Sequence, residues 1–496
     1  MELTRRGVLG SSLAFLAGGA AKHVAARSVG EAAQEPPQGP EPSKAYGAVL
    51  TGSGITTALA RFLSGMRYED LSPEAVHEAR RAVLDWVGCA LAGSTHPTVN
   101  VLLSTFDALG SVPVATVLGR GGRKLSLLDA AVANGQMGHV LDFDDTHLGG
   151  VILHTSTATL PALFVLGDRH RASGRDVIVA LAAAFEAGIR VGRAATSHHL
   201  GGWHLTGTLG TVAAAAGSAR LLGLDERQTT YALGIACTQA AGMQQNRGSD
   251  CKSLHAGKSA YHGVLAATLA SNGFNSSTEI LEGGLGFTKI FSVTQQDAAI
   301  TAGMGRTWMI AANGYKPYAC GVVLHPLIDA MIAASGKADR PAAGVARVDV
   351  RVHPDVIRIT GIDTPSSGLM SKFSANHAAA VAYIDRAGGI AQFTNERSED
   401  PAVLALRKVV TVTPDRSFRL DQAAAVVRTM SGELHEARVA HASGTVGNPM
   451  SDQALREKFL GNATPVIGAD RARRVADMTA TLDALSDIGE FVRACA

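Results

Sequence analysis

At 496 residues the chain exceeds what one hydrophobic core normally organises, so two domains are expected. Lysine and arginine number 45 against 43 aspartate and glutamate, a formal net charge of +2, which gives nucleic acid or an anionic membrane surface no footing as partner. Glycine is abundant at 55 residues and aromatics make up only 5%, a composition suited to helices whose backbones approach closely.

The first segment reads Thr4-Arg5-Arg6-Gly7-Val8-Leu9, then a small-residue apolar run to about Ala21, then Val24-Ala25-Ala26 as a cleavage site. Residues 1–26 are therefore expected to be a twin-arginine signal peptide. The apolar run is shorter than the ~20 residues that span a bilayer, so no stable membrane insertion is expected after processing. The expected location is periplasmic or otherwise extracytoplasmic. Residues 27–45 form a Pro/Glu-rich tether with no core-forming capacity. The five cysteines are scattered and lack CxxC spacing, so no disulfide framework is predicted.

Helical periodicity then dominates. Ser72-Pro73 starts a helix, with serine as N-cap and proline at the first position. Ser126 begins another that runs into His139, and Ser173 caps a long one on which Glu186 and Arg190 are one turn apart. Helices are predicted over Gly207–Leu222, over Glu226–Gly242 with Asp225 as cap, and over Lys258–Ser271. No strand is predicted between Ala45 and about residue 310. Beyond Gly314 the texture changes. Val348, Val350 and Val352 alternate with Asp349 and Arg351, Lys408–Thr413 reads as a strand, and Ser431-Gly432 turns a hairpin between 424–430 and 433–441. Helix returns after Ser451 and again after Gly468. The fold expected is mainly α: a large all-helical domain (46–314), an inserted smaller α+β lid domain (315–445), and a C-terminal helical return (446–496).

Four polar clusters interrupt the apolar helices. His139–Thr157, HVLDFDDTHLGGVILHTST, holds three carboxylates and three histidines within sixteen residues. Such a density of acids and bases between apolar flanks is costly unless it is used. Trp203–Thr208 opens a helix whose free N–H groups and Thr208 hydroxyl can hold a carboxylate. Arg247–Lys258, RGSDCKSLHAGK, and Lys316–Cys320 with His325 add cations and further imidazoles. This inventory suits proton transfer beside a carboxylate, with loss of water or of CO₂. Blander roles are available to several members. His139 can cap the helix it follows, Asp144 and Asp145 can be caps or ion-pair partners, and His198 and His199 read as surface loop. His325 is equally a cap or a ligand, and Lys258 a solvated or paired helix-start lysine. An aspartate-rich DFDD can also bind Mg²⁺, or the histidines Zn²⁺ or Fe²⁺, but no HExxH and no second aspartate-rich run accompanies it, so no metal is assigned.

The segments NGQMGHVLDFDDTH, GWHLTGTLGTVAAAAGSARLLGLD, KSLHAGKSAYHGVLAATLASNGF, LEGGLGF and YKPYACGVVLHPLIDA occur in this order. With them the chain, from about residue 50 to 470, resembles the MmgE/PrpD family of 2-methylcitrate dehydratases and cis-aconitate decarboxylases. The resemblance implies a homodimer, a site between a helical domain and an α+β lid, and no cofactor. It implies His154, His204 and Asp142 as catalytic groups, Asp142 orienting an imidazole. It also implies that Thr146, Lys252 and Lys316, with His255 and Tyr318 beside them, bind a small carboxylate substrate. The chain departs from the family in three places: a longer loop between Thr146 and His154, Thr155 where proline is usual, and His377 where an aromatic is common. The reaction expected is dehydration of a small di- or tricarboxylate. Decarboxylation, epimerisation in the same pocket, and carboxylate binding without catalysis are its rivals.

Overall fold

The computed structural model describes residues 54–336 and 342–496. The signal peptide and tether expected from the sequence lie outside the described residues. Among those described, no helix is long and apolar enough to cross a membrane.

The architecture is mainly α. Helix α1 (Pro73–Gly93) starts where expected, Ser72 accepting from the Ala75 amide at 3.2 Å. Helix α2 (Leu127–His139) is capped by Ser126 and α4 (Gly174–Ala194) by a Ser173/Asp176 capping box. Between them α3 (Thr155–His170) starts directly after His154. Helices α5 (Leu205–Leu221), α6 (Glu226–Cys237) and α7 (Asp250–Ser271) complete the set that carries the polar clusters. Helix α5 packs on α4 and α7, and α7 packs on α2. The α2–α7 crossing is as close as backbones allow: a Cβ built on Gly257 would lie 2.3 Å from the Val132 carbonyl oxygen.

Two helix boundaries differ from the periodicity reading. Helix α6 stops at Cys237, and the carbonyls of Gln239 and Ala241 accept from Lys258 at 3.0 and 2.9 Å. Lys258 is thus a half-buried interior residue of α7 that binds loop carbonyls, and burial pulls its ammonium down to about 8. Helix α7 begins eight residues early, at Asp250 rather than Lys258. The polar run DCKSLHA is helical, its polar face turned into the protein rather than to solvent. Two-residue pairings also occur where no strand was expected: β1 (Ala115–Thr116) with β2 (Lys124–Leu125), and β3 (Thr146–His147) with β4 (Asn313–Gly314).

The α+β segment forms one four-stranded sheet in the order β6–β5–β7–β8. Strand β5 (Val345–Val352) pairs parallel with β6 (Val410–Pro414) and antiparallel with β7 (Ala423–Thr429), which pairs with β8 (Leu434–Val439). Helices α8 (His325–Ser335) and α9 (Ala375–Asp385) contribute to the same apolar cluster as the buried valines of β5. After the sheet, α10 (Asp452–Ile467) and α11 (Ala469–Ala480) return to α1.

From residue 54 on, the described residues pack as one compact unit with two principal hydrophobic clusters. The larger surrounds Trp86, Phe164 and Phe185 in the helices, and the second lies under the sheet. Val140, Leu141 and Phe143 belong to the second cluster although they follow α2 directly. The apolar residues of VLDFDD are therefore anchored under the α+β segment, and this anchoring fixes the acids between them.

Candidate active site

The site grows from the chain between α2 and α3. His139 ends α2, and Asp142 adopts a positive φ of 51°, a left-handed turn that aspartate tolerates better than most residues. The β3–β4 pairing, with Thr146 opposite Gly314, brings Lys316 alongside the acidic stretch from far along the sequence. His154 then stands at the N-cap of α3, His204 at the N-cap of α5, and Lys252 and His255 on the first turns of α7.

Two charge systems result. In the first, Asp142 Oδ1 accepts from Lys316 Nζ at 2.5 Å, and Lys252 Nζ lies 3.3 Å from Oδ2 as an ionic contact. Lys316 also donates to the Asp142 carbonyl at 3.1 Å. Asp142 and Lys316 are 3% and 1% exposed, so solvent screens neither. Burial would raise the Asp142 carboxyl, but Lys252 and Lys316 outweigh it and hold the group well below the usual carboxylate range. Burial lowers the Lys252 ammonium against the pull of Asp142, whereas at Lys316 Asp142 prevails over burial and raises it.

In the second system, His139 Nδ1 donates to Asp144, 2.8 Å from Oδ2 and 3.0 Å from Oδ1. His154 Nδ1 lies 3.0 Å from both the Asp145 carbonyl and the Thr146 hydroxyl, and 3.6 Å from Asp144 Oδ2. His204 Nδ1 meets His255 Nδ1 at 2.9 Å, so one ring donates to the other. The His139 ring centroid is 4.7 Å from that of His154 and 5.7 Å from that of His204. Burial lowers all four imidazoles: His154 and His204 far below their ordinary value, with the lysines adding to the effect, and His255 to about 4. At neutral pH the resting site therefore holds neutral imidazoles beside charged lysines. Burial and neighbouring Asp85 push the Asp145 carboxyl well up; it accepts from Ser156 at 2.5 Å and Asn313 at 2.6 Å.

Asp142, Thr146, His154, His204, Lys252, His255 and Lys316 are thus brought together. Tyr318 is not: its hydroxyl donates to Asp329 at 2.5 Å and its ring meets His325 edge-on. The role expected of Asp142 is also corrected. Asp144 is the carboxylate that orients an imidazole, because the left-handed turn at Asp142 sends its side chain to the lysines. The Thr208 hydroxyl turns back to the carbonyls of its own helix at 3.5 Å and offers nothing to a ligand. His198 is 1% exposed among Phe287, Phe291 and Trp203, not on a surface loop. His325 is buried at the start of α8, caps nothing with its ring, and is pulled by burial down to about 3. His377 lies 2.8 Å from the Gln392 carbonyl and packs on Phe393, which makes that departure from the family a core substitution.

Two features of the site are not singled out by the sequence: the His139–Asp144 dyad, whose members also fit a helix cap and an ion-pair partner, and Lys372, a buried lysine inside SKFSAN. A lysine between Ser371 and Phe373, three residues before an alanine-rich helix, is the available signal for the second. Lys372, His139, Asp142 and Lys252 border a void of about 10 Å³, too small to hold a polycarboxylate. Beyond Lys372 opens a groove of about 530 Å³ lined by His96, Asp250, Phe393 and Asn395. His139, His154 and His204 also offer one ring nitrogen each within 4.8 Å, enough donors for a metal ion. Donors ~2.1 Å from a tetrahedral ion lie only ~3.4 Å apart, so the rings would have to close in against the field of Lys252 and Lys316.

Comparison with known proteins gives the same assignment along most of the chain. Residues 57–299 match the MmgE/PrpD N-terminal domain and residues 318–484 the MmgE/PrpD C-terminal domain. A cis-aconitate decarboxylase of Aspergillus terreus is 27% identical over 89% of this chain and 95% of its own length. Cis-aconitate decarboxylases of Mus musculus and Homo sapiens are each 25% identical, over 88% and 87% of this chain and 93% and 92% of their own lengths. Two family domains matched in order, on a chain whose acids, imidazoles and lysines converge on one site, place this protein in the MmgE/PrpD family.

Proposed function

We propose that this chain is a cofactor-independent lyase of a small polycarboxylate, and that its leading reaction is loss of CO₂ from a cis-aconitate-like tricarboxylate. The observation that carries the reading is the apposition of the Asp142–Lys252–Lys316 group to the imidazoles of His139, His154 and His204. The relatives named as decarboxylases favour loss of CO₂ over the dehydration expected from the sequence.

The lysines neutralise substrate carboxylates and stabilise the charge that moves onto one of them during reaction. In the tricarboxylate, the bond between the saturated carbon and its carboxylate breaks and CO₂ leaves. The bonding pair becomes the new C=C bond, and the former π pair moves to the far alkene carbon, which takes a proton from an imidazole. His154 is the leading donor. A bound polyanion offsets the lysine charge that adds to burial in keeping it neutral, so its Nε2 gains the proton it then delivers. His204, linked to His255, is the alternative donor. Dehydration of a 2-hydroxy tricarboxylate is the second reading, in which neutral His154 removes a proton beside a carboxylate and a second imidazole assists the departing hydroxyl. Admission to so small a site requires the α+β segment to move as a lid. Homodimer formation and twin-arginine export complete the proposal, to be checked by sedimentation and by cell fractionation.

The deciding experiment supplies cis-aconitate and 2-methylcitrate to chelator-treated protein in D₂O and follows products by NMR. CO₂ release with one deuteron in the product supports decarboxylation, and water loss without CO₂ supports dehydration. Turnover of neither, or turnover only with added metal, defeats the proposal.

A further inference from the structure

We propose that Lys372 forms a third carboxylate subsite of this enzyme, one that distinguishes tricarboxylates from dicarboxylates. The inference rests on the polycarboxylate reading above and extends it to a residue contributed by the α+β segment.

Lys372 is 3% exposed, and its Nζ donates to two main-chain carbonyls, Leu141 and Ala319, each at 2.8 Å. An ammonium has three donors, so one remains unspent. The Phe393 ring lies 5.3 Å away, and among the described residues no carboxylate lies within ion-pair distance of Lys372. A buried ammonium without a counter-ion is costly, and such groups are normally paired. The other two lysines of the site differ in this respect, because both share Asp142. Three lysines therefore face two low-pKa carboxylates, Asp142 and Asp144, and Asp144 is occupied by His139. With neutral imidazoles the surplus charge is positive and concentrated at Lys372. Lys372 borders both the small void, with His139, Asp142 and Lys252, and the open groove beyond it. The missing counter-ion is a carboxylate of the substrate, arriving along the groove. Lys252 and Lys316 hold the carboxylates nearest the imidazoles, and Lys372 holds the one left over.

The test uses two unreactive probes that differ by one carboxylate, propane-1,2,3-tricarboxylate and glutarate. Affinities are measured by calorimetry at pH 7 for the wild type, Lys372→Gln and Lys372→Arg, with melting temperatures as a check on folding. Glutamine removes the charge and keeps two N–H donors for the Leu141 and Ala319 carbonyls, on a side chain one bond shorter, which is why K372R and the melting temperatures are measured beside it. One charge-assisted hydrogen bond corresponds to about a tenfold or greater change in affinity. The expected result is that K372Q loses about that factor for the tricarboxylate, leaves glutarate within about twofold, and that K372R recovers most of the loss. Equal loss for both probes, or no loss for either, overturns the subsite and leaves Lys372 as a staple between two loops, while the polycarboxylate reading stands. Failure of the wild type to bind either probe overturns both.

Discussion

His154 Nδ1 lies 3.0 Å from the main-chain carbonyl of Asp145. A carbonyl only accepts, so a hydrogen bond here requires the proton on Nδ1 and leaves the lone pair on Nε2. The same backbone turn that places Asp145 under the ring sends Asp142 to the lysines. One short stretch thus sets both the proton acceptor and the cation site. His154→Ala should lower turnover of the preferred polycarboxylate by about 10²–10⁴-fold, the usual range for general acid–base groups. Because the ring is held by one carbonyl and one hydroxyl, the variant should keep its far-UV circular dichroism and a cooperative melt. Turnover within a few-fold of wild type would remove His154 from the mechanism.

Ligand binding should take up protons. Burial, and the lysines beside them, hold His154 and His204 neutral in the free protein. A polyanion between them and the lysines favours the protonated ring, so the imidazole pKa rises on binding. Calorimetric titration near pH 7 in buffers of different ionisation enthalpy should give a net uptake approaching one proton, reduced in His154→Ala. Uptake fits the decarboxylase, which needs a proton to deliver. Binding without uptake would favour the dehydratase, which begins with a base.

Acid should unfold this protein through Asp142 and Asp144. Both carboxyls lie below their ordinary value in the fold, Asp142 because Lys252 and Lys316 outweigh burial and Asp144 because His139 and His154 do so. A depressed carboxyl contributes stability that is fully present above its unfolded pKa of about 3.9 and is lost as pH falls toward the folded pKa. The depressed imidazoles act earlier. The unfolded chain binds their protons from about pH 6.5 downward, so stability already declines there. Denaturant unfolding between pH 3 and 8 should show both limbs. Asp142→Asn should flatten the lower limb and cost about 3–5 kcal/mol at pH 7, since it strands two buried ammonium groups. An unchanged midpoint would mean that the lysines find other partners.

Gly257→Ala tests the scaffold. The added carbon would lie 2.3 Å from the Val132 carbonyl oxygen, so α7 has to move away from α2. Overpacking of this kind costs about 1–3 kcal/mol. Because α7 carries Lys252 and His255 while α2 carries His139, kcat should fall even at temperatures where the variant is fully folded. A variant that loses stability but keeps wild-type kcat would show that the site tolerates sliding of the two helices.

The sequence by itself determined the caps and most helix positions, because Ser72, Ser126, Ser173 and Asp225 act on amides within three residues of themselves. It also determined the sheet strands, whose alternation is local, and the list of chemically active residue types. Helix α7 starts eight residues before the point its periodicity indicates, because a polar helix face aimed into a site looks like a loop when burial is unknown. Only the tertiary structure decided which acid serves which base. Asp142 meets Lys316 across 174 residues through the β3–β4 pairing, and Lys372 reaches Leu141 across 231. No local pattern encodes either contact. The positive φ at Asp142 and the burial of Val140, Leu141 and Phe143 under the sheet then divide three adjacent-looking aspartates into three roles. Asp142 is the counter-ion of the lysines, Asp144 the partner of an imidazole, and Asp145 a buried hydrogen-bond acceptor.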